Sequence, residues 1–389
     1  MTTRTSDLAK LRAELEDRSR PAMLPALAYT SPEVLAWEQR FVFAGTWACL
    51  GRLEELLPQG TTQRAVPVGD VAALLTRDGS EVRLFANTCR HRGHELLAED
   101  TSSGHRAIAC PYHAWSYDLT GRVVAAPGFH DGDGFDPRSH GLVELPVTEW
   151  CGWVFGHGAL PAGHPDVPSF ERHLGELDGI VAAYRPAELT LGERHDYEVS
   201  ANWKVVAENY HECYHCPVIH PELCRVSPPT SGDNYHLPGA WVGGSMQLAE
   251  GAATMSLTGE SGGRPIAGVS PRTVEYIHLL PNLLVSAHPD YVMTHRLVPL
   301  APDRTHVECA WYFPPDDDGK TPDPQYAVDF WDLTNRQDWA ACESVQRGLA
   351  SPHFRPGPLA PGEDAVARFD GMIAGAYLGR GITATADPG

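Results

Sequence analysis

Residues 89–100 read CRHRGHELLAED and residues 110–118 read CPYHAWSYD. Each run opens on one cysteine and one histidine, as Cys89-x-His91 and Cys110-x2-His113. Two such tight pairs in one segment fit poorly with scattered core cysteines and surface histidines. Tetrahedral zinc is one candidate, because two thiolates and two imidazoles satisfy it. Structural zinc motifs usually pair two cysteines in one loop and two histidines elsewhere, whereas each loop here carries one of each. If the loops face each other, the cysteines converge on one iron and the histidines on a second. That is the ligand set of a [2Fe–2S] centre in which two imidazoles replace two thiolates and raise the reduction potential. Gly93 and Pro111 permit tight loops, and Trp115 can shield the cluster.

The rest of the chain reads as a cytoplasmic globular protein and not as a secreted or nucleic-acid-binding one. It has 389 residues, enough for two domains, with 42% hydrophobic residues, the ordinary share for a globular protein. No apolar run is long enough to span a bilayer, and the charged opening MTTRTSDLAKLRAELEDRSR lacks the apolar centre of a secretory signal. A net charge of −20 repels phosphate backbones and argues against DNA or RNA partners. Nine cysteines in a chain of this kind read as core residues or metal ligands, and a disulfide framework is not expected.

The pattern along the chain divides it into four parts. An N-terminal helical segment covers 1–44, with helices over 6–20 and 31–43. A β-rich domain runs over 45–160, with hairpin turns at Asp78-Gly79 and Thr120-Gly121. A second domain covers 161–380, after the proline-rich HGALPAGHPDVPSF, and 381–389 is a tail. In the second domain SFERHLGELDGIVAAY reads as one helix, and a strand leads into a helix beginning near Ala201. Strands recur over 273–314, and a long helix spans roughly 324–350.

A second constellation lies in ENYHECYHCPVIHPEL, residues 208–223. His211-Glu212-Cys213-Tyr214-His215 spells the H-E-x-x-H pattern of zinc metalloproteases, in which both histidines bind zinc from one helix face. Pro217 lies only two positions after His215 and disturbs the helix that such a site requires. The competing pair is His215 and His220. At i and i+5 they point about 140° apart on a regular helix, so they share a metal only if the helix loosens or ends between them. Pro217 and Pro221 supply that loosening. Glu212, one turn before His215, can hydrogen-bond its ring. An oxygen-activating iron also needs a carboxylate. In VDFWDLTNRQDWAACESVQRGL, residues Trp331, Thr334, Asp338, Ala341, Val345 and Leu349 form an inward stripe, so Asp338 is the candidate; Asp332 pairs outward with Arg336. Cys213 and Cys216 read as packing residues.

CRHRG, CPYHAWSYDLTG and NWKVVAENYHECYHCPVIHPEL together resemble the catalytic α subunit of Rieske non-haem iron oxygenases, the ring-hydroxylating family, across about 45–360. The glutamate at 212 with ENYHECYHCP is most similar to the branch acting on quaternary ammonium compounds such as glycine betaine or carnitine. The resemblance implies an α+β architecture: an N-terminal β-rich Rieske domain, then a catalytic domain with a central antiparallel sheet flanked by helices. It implies a [2Fe–2S] cluster on Cys89, His91, Cys110 and His113, and mononuclear Fe(II) on His215, His220 and Asp338. Asn209 falls near the iron in the family pattern. Family members commonly form homotrimers, in which His113 of one chain reaches Glu212 and then His215 of the next. Electrons come from NAD(P)H through a separate reductase or ferredoxin, since this chain has no G-x-G-x-x-G fingerprint. The implied reaction is monooxygenation of an N-methyl group, whose hemiaminal collapses to a demethylated amine and formaldehyde. Tyr276, Tyr291 and Trp311 are aromatic candidates for holding the cation. Hydroxylation of an aromatic ring is the rival within the family. A zinc protease using His211 and His215, and a non-catalytic Rieske electron carrier, are the readings from other classes.

Overall fold

The Asp78-Gly79 turn joins strands Val71–Asp78 and Glu81–Ala86, with Asp78 opposite Glu81 and Gly79 at φ +64°. A residue without Cβ takes that left-handed conformation freely. In the computed structural model, which describes residues 5–17, 21–130 and 132–383, this hairpin belongs to a five-stranded sheet completed by Gln63–Val68, Ser102–Ser103 and Glu144–Leu145. The apolar residues of its inner face, among them Val66, Ala73, Leu75 and Leu84, pack into one core. A turn through Gly121 links Ser116–Asp118 to Val123–Ala125, and Ser116–Asp118 also pairs with Ala107–Ala109, making the small sheet from which the second Cys/His loop emerges. All of this lies in a unit spanning Trp37–Phe170.

The other unit contains the described residues up to Ala36 and from Glu171 onward. Its centre is a seven-stranded antiparallel sheet. The strands are β1 (Thr190–Val199), β2 (Asp233–Asn234), β3 (Trp241–Gln247), β4 (Thr273–Leu279), β5 (Leu283–Ala287), β6 (Val292–Ala301) and β7 (Arg304–Phe313), in the order β1-β7-β6-β5-β4-β3-β2. LLVSA of β5 is buried throughout, as a central strand covered on both faces must be. The helices that matter for the site are α1 (Trp203–Tyr210), α2 (Cys216–Ile219), α3 (Pro221–Val226), α4 (Gln325–Leu349) and α5 (Asp364–Tyr377). Helix α4 packs on α1 and β1, α1 on β6, and α5 on β3. The antiparallel sheet flanked by helices is the α+β architecture that the motifs implied.

Several readings of local structure need correction. SFERHLGELDGIVAAY is two short helices, Phe170–Leu174 and Asp178–Val181, because the chain turns at Gly175 with φ +55°. A Cβ there would lie 2.0 Å from the Pro238 carbonyl oxygen, so no larger residue fits. The glycine-rich strand β3 and helix α5 were not read from the sequence at all. On α4 the buried stripe runs through Trp331, Thr334, Asn335, Cys342, Gln346 and Leu349, whereas Val345 is exposed. From Asp338 the buried positions 342 and 346 advance by four residues, about 40° per step at about 100° per residue, so the buried face is displaced round the helix from the stripe read through 341 and 345. Residues 1–4, 18–20 and 384–389, which belong to the expected N-terminal segment and tail, lie outside the described residues.

Asn202 fixes where α1 starts. Its side-chain oxygen accepts from Lys204 N at 3.0 Å as an N-cap. Its amide donates to the carbonyls of Tyr29 at 3.2 Å and Pro302 at 2.7 Å, and its backbone N–H donates to Gln346 Oε1 at 3.0 Å. Losing a cap and two buried hydrogen bonds costs about 2–4 kcal/mol. Asn202→Ala should therefore lower the unfolding free energy read from denaturant titration by that amount; a change under about 0.5 kcal/mol would show that the cap does not anchor α1.

Candidate cluster loops and metal centre

Each Cys/His pair sits on a tight turn. Cys89 N donates to His94 O at 2.8 Å and Gly93 N to Cys89 O at 3.0 Å; Cys110 N donates to Trp115 O at 2.7 Å and Ala114 N to Cys110 O at 3.0 Å. Gly93 has φ +73° and Ala114 φ +59°, so both turns pass through left-handed geometry. Both cysteines are buried, while His91 and His113 are only part-buried at the rim. The two imidazole centroids are 4.8 Å apart, and Trp115 stacks on His91 at 5.1 Å. Nδ1 of His113 is buried with no hydrogen-bond partner. Burial first, then the neighbouring His91 and Arg92, lowers its pKa and keeps the ring neutral, the form that ligates metal. Inner thiols, outer imidazoles and an orphaned ring nitrogen fit a mixed-ligand [2Fe–2S] cluster.

Tyr117 touches this cradle from beneath. Its hydroxyl accepts Arg90 N–H at 3.0 Å, leaving its own proton free for Cys89 Sγ at 3.3 Å. Burial pushes the Tyr117 phenol well up, so it stays protonated and able to donate.

The second centre arises because α1 stops early. It ends at Tyr210, His211 caps it, and a non-helical turn carries Glu212–Tyr214. His215 then caps α2, which Pro217 enters in its first turn. His220, at φ −121° and ψ 67°, breaks the chain again before α3. These interruptions bring both rings toward α4. His215 Nε2 and His220 Nε2 lie 3.1 Å apart, and Asp338 Oδ1 is 2.8 Å from His220 Nε2 and 3.4 Å from His215 Nε2. Among the described residues, His215, His220 and Asp338 form the group of three potential ligands whose donor atoms all fall within 4.8 Å of one another. Two imidazoles and one carboxylate on one side of a point match the facial donor set of non-haem iron.

Outer contacts orient the triad. Glu212 hydrogen-bonds His215 Nδ1 and, through Oε2, accepts from His215 N at 3.1 Å. The contact expected from helical spacing is present, but a turn makes it. His220 Nδ1 meets Gln337 Oε1 at 2.7 Å, which leaves Nε2 for a metal. Burial opposes charge on His215, yet hydrogen bonds to Asp338 and Glu212 overcome it and raise its pKa to about 9. Burial likewise works against the Asp338 carboxylate, and the two histidines outweigh it and lower its pKa. Asp332 holds Arg336 at 2.8 Å on the outer face, as its spacing indicated.

His211 is not part of this group. It is buried, and its Nε2 lies 3.1 Å from His278 Nδ1 while His278 Nε2 donates to the Pro281 carbonyl at 3.1 Å. The two histidines of the protease pattern therefore serve different neighbours, because the helix that should align them ends at Tyr210. Cys213 and Cys216 are joined by a disulfide around Tyr214 and His215, a correction to their reading as packing residues.

The triad opens into a cavity of about 180 Å³. Asn209 lines it, and so do the rings of Tyr210, Tyr276, Trp331 and Trp339. Of the aromatic candidates from the sequence, Tyr276 alone is at the wall. Tyr291 is in the core, accepting Trp331 Nε1 at 2.7 Å and donating to Met255 O at 2.9 Å, and Trp311 is also buried. The inward stripe of α4 carried the missing signal, since Trp331 and Trp339 flank Asp338 on that helix.

Comparison with known proteins places both units of the chain in known domain families. Residues 46–143 match the Rieske [2Fe-2S] domain, and residues 186–379 match the ring hydroxylating alpha subunit catalytic domain. The glycine betaine monooxygenase oxygenase subunit of Chromohalobacter salexigens is 30% identical over 378 residues, 88% of this chain and 83% of that one. The carnitine monooxygenase oxygenase subunit of Acinetobacter baumannii is 34% identical over 200 residues, 51% of this chain and 52% of that one. The solved quaternary ammonium Rieske monooxygenase CntA in complex with an inhibitor has the same fold, with TM-score 0.73, 23% identity, and coverage of 97% of this chain and 100% of that one. The chain belongs to the Rieske non-haem iron oxygenases, as the catalytic oxygenase component. It is an oxidoreductase of the class that carries a Rieske cluster and a mononuclear iron and draws its electrons from a reductase. No helix among the described residues is long and apolar enough to cross a membrane.

Removing the Tyr117 hydroxyl should lower the cluster's reduction potential. One hydrogen bond of about 1 kcal/mol corresponds to about 40 mV for a one-electron couple. Tyr117→Phe should shift the midpoint down by that order while keeping the visible spectrum, and an unmoved midpoint in redox titration would show that the phenol does not act on Cys89.

Proposed function

We propose that this oxygenase inserts one oxygen atom of O₂ into an N-methyl group of a quaternary ammonium compound, and that Cys89, His91, Cys110 and His113 hold the cluster while His215, His220 and Asp338 hold the iron. The observation carrying this reading is the cavity itself: the rings of Tyr210, Tyr276, Trp331 and Trp339 line it, and none of its described lining residues is lysine or arginine. A permanent cation is attracted by ring faces and meets no fixed cationic side chain there. The glycine betaine and carnitine oxygenase relatives support the same substrate type.

The iron supplies O₂ activation and the cluster supplies electrons. The protein's own part is placement and proton control. His220, oriented by Gln337, and His215, oriented by Glu212, present their Nε2 atoms to the metal. Tyr210 is held by the Val285 carbonyl at 2.9 Å and Ser286 Oγ at 3.0 Å, and Trp331 by Tyr291, so both rings are fixed before a cation arrives. Hydroxylation of N–CH₃ gives N–CH₂OH, the second oxygen atom leaves as water with two electrons and two protons, and loss of formaldehyde and a proton yields the tertiary amine.

Glu212 also serves as the link for electrons arriving from a second copy, through that copy's His113, in a homotrimer. The half-buried carboxylate touching His215 supports this, as does the apolar surface beside it, where Tyr214 is 71% and Val218 86% exposed. An NAD(P)H-dependent reductase or ferredoxin would fill the cluster.

Reconstitution with a reductase tests the reaction. Quaternary amines should give formaldehyde in step with O₂ uptake; dihydrodiols from arenes with no formaldehyde from any amine would favour ring hydroxylation instead. Glu212→Gln should keep both metals but slow reoxidation of the reduced cluster by at least ~10-fold in single turnover, and an unchanged rate would remove the bridging role. The Tyr276 phenol is buried without a hydrogen-bond partner, so its ring and not its hydroxyl is the functional part. Tyr276→Phe should leave KM near wild type, and Tyr276→Leu should raise it about 5–10-fold; equal effects would place Tyr276 outside the cation site.

A further inference from the structure

The cavity's charged groups cluster at the metal centre, where His215 and His220 face the two carboxylates. Glu212 and Asp338 line the cavity, and among the described lining residues none is lysine or arginine. The other imidazoles at the wall do not substitute for them. His295 Nε2 donates to Asn335 Oδ1 at 3.2 Å, and burial before all else holds its pKa at about 4. His211 is held well below the ordinary range by burial and by His278.

The wall built by β2, β3 and the start of α5 is small and uncharged, with Gly243, Gly244, Met246 and Ala365 at the surface. Its amide, Asn234, already donates to Asp364 Oδ1 at 2.7 Å, which sets another carboxylate behind that wall. The positive charge that bound iron brings is met where it sits, by Asp338 and the adjacent Glu212.

We propose that the preferred substrate is a quaternary ammonium cation whose tail is uncharged, ending in a hydroxyl, ester or amide, and that a carboxylate on the tail is selected against. This deepens the proposed function and rests on it. Burying a carboxylate without a cationic partner costs several kcal/mol of desolvation, whereas a neutral oxygen asks only for a hydrogen bond or water. Among the described residues that line it, the wall offers no guanidinium or ammonium to recover that cost. Selection between tails then comes from what the site lacks for one of them as much as from what it offers the other.

Calorimetric titration of the anaerobic iron-loaded protein, without reductase so that no turnover occurs, separates the cases. Choline, glycine betaine and glycine betaine methyl ester share the trimethylammonium group and differ in the tail. Choline and the ester should bind at least about tenfold more tightly than glycine betaine, a difference of about 1.4 kcal/mol. Equal or tighter binding of glycine betaine would overturn the inference and leave the proposed function standing. Binding of indole with none of the three cations would overturn the proposed function, and this inference with it.

Discussion

The catalytic unit depends on a helix that does not continue. A regular helix through residues 203–226 would point His215 and His220 about 140° apart and leave Asp338 with no partner on either. Ending α1 at Tyr210, admitting Pro217 into α2 and breaking again at His220 turns the same residues inward, so that three donor atoms meet within 4.8 Å. Crowding a carboxylate and two imidazoles in a part-buried place is costly without a shared charge, and a divalent metal is that charge. The sheet and α4 serve this geometry by holding the two sides of the triad at a fixed spacing, and Asn202 ties α1 to both Tyr29 and Gln346.

The same helix that carries the carboxylate also builds the substrate wall. Trp331, Asn335 and Trp339 line the cavity beside Asp338, so α4 contributes both to the triad and to the cavity wall. A site placed on a helix keeps its spacing better than one assembled from loops. In the Rieske unit both Cys/His pairs sit on turns tight enough to offer a cysteine and a histidine from each side.

Much of this was legible in the sequence because the chemistry sits in short runs. The Cys/His loops, the hairpin turns at Gly79 and Gly121, and the long helix over Gln325–Leu349 are all local patterns, and the antiparallel sheet followed from the family resemblance. What escaped is non-local. Strand β3 is too rich in glycine to read as a strand, and its place is fixed by pairing with β4, where Gly243 lies across from Ile277. The disulfide of Cys213 and Cys216 depends on a turn that the helical reading of 208–215 had hidden. Tyr291 and Trp311 looked equivalent to Tyr276 in sequence, and only packing separates two core rings from one at the cavity wall. His211 shows the converse: a well-spelled motif lost its meaning once its helix ended and its ring met His278.

The most direct test of the two-site account is a count of iron, zinc and acid-labile sulfide per chain in anaerobically purified protein, with the EPR spectrum of its reduced form. About three irons, two sulfides and a Rieske-type signal are expected if the two Cys/His loops carry a binuclear cluster and His215, His220 and Asp338 a single iron. One zinc with no sulfide and no such signal would contradict the account at both sites and restore the zinc reading of the histidine–glutamate motif.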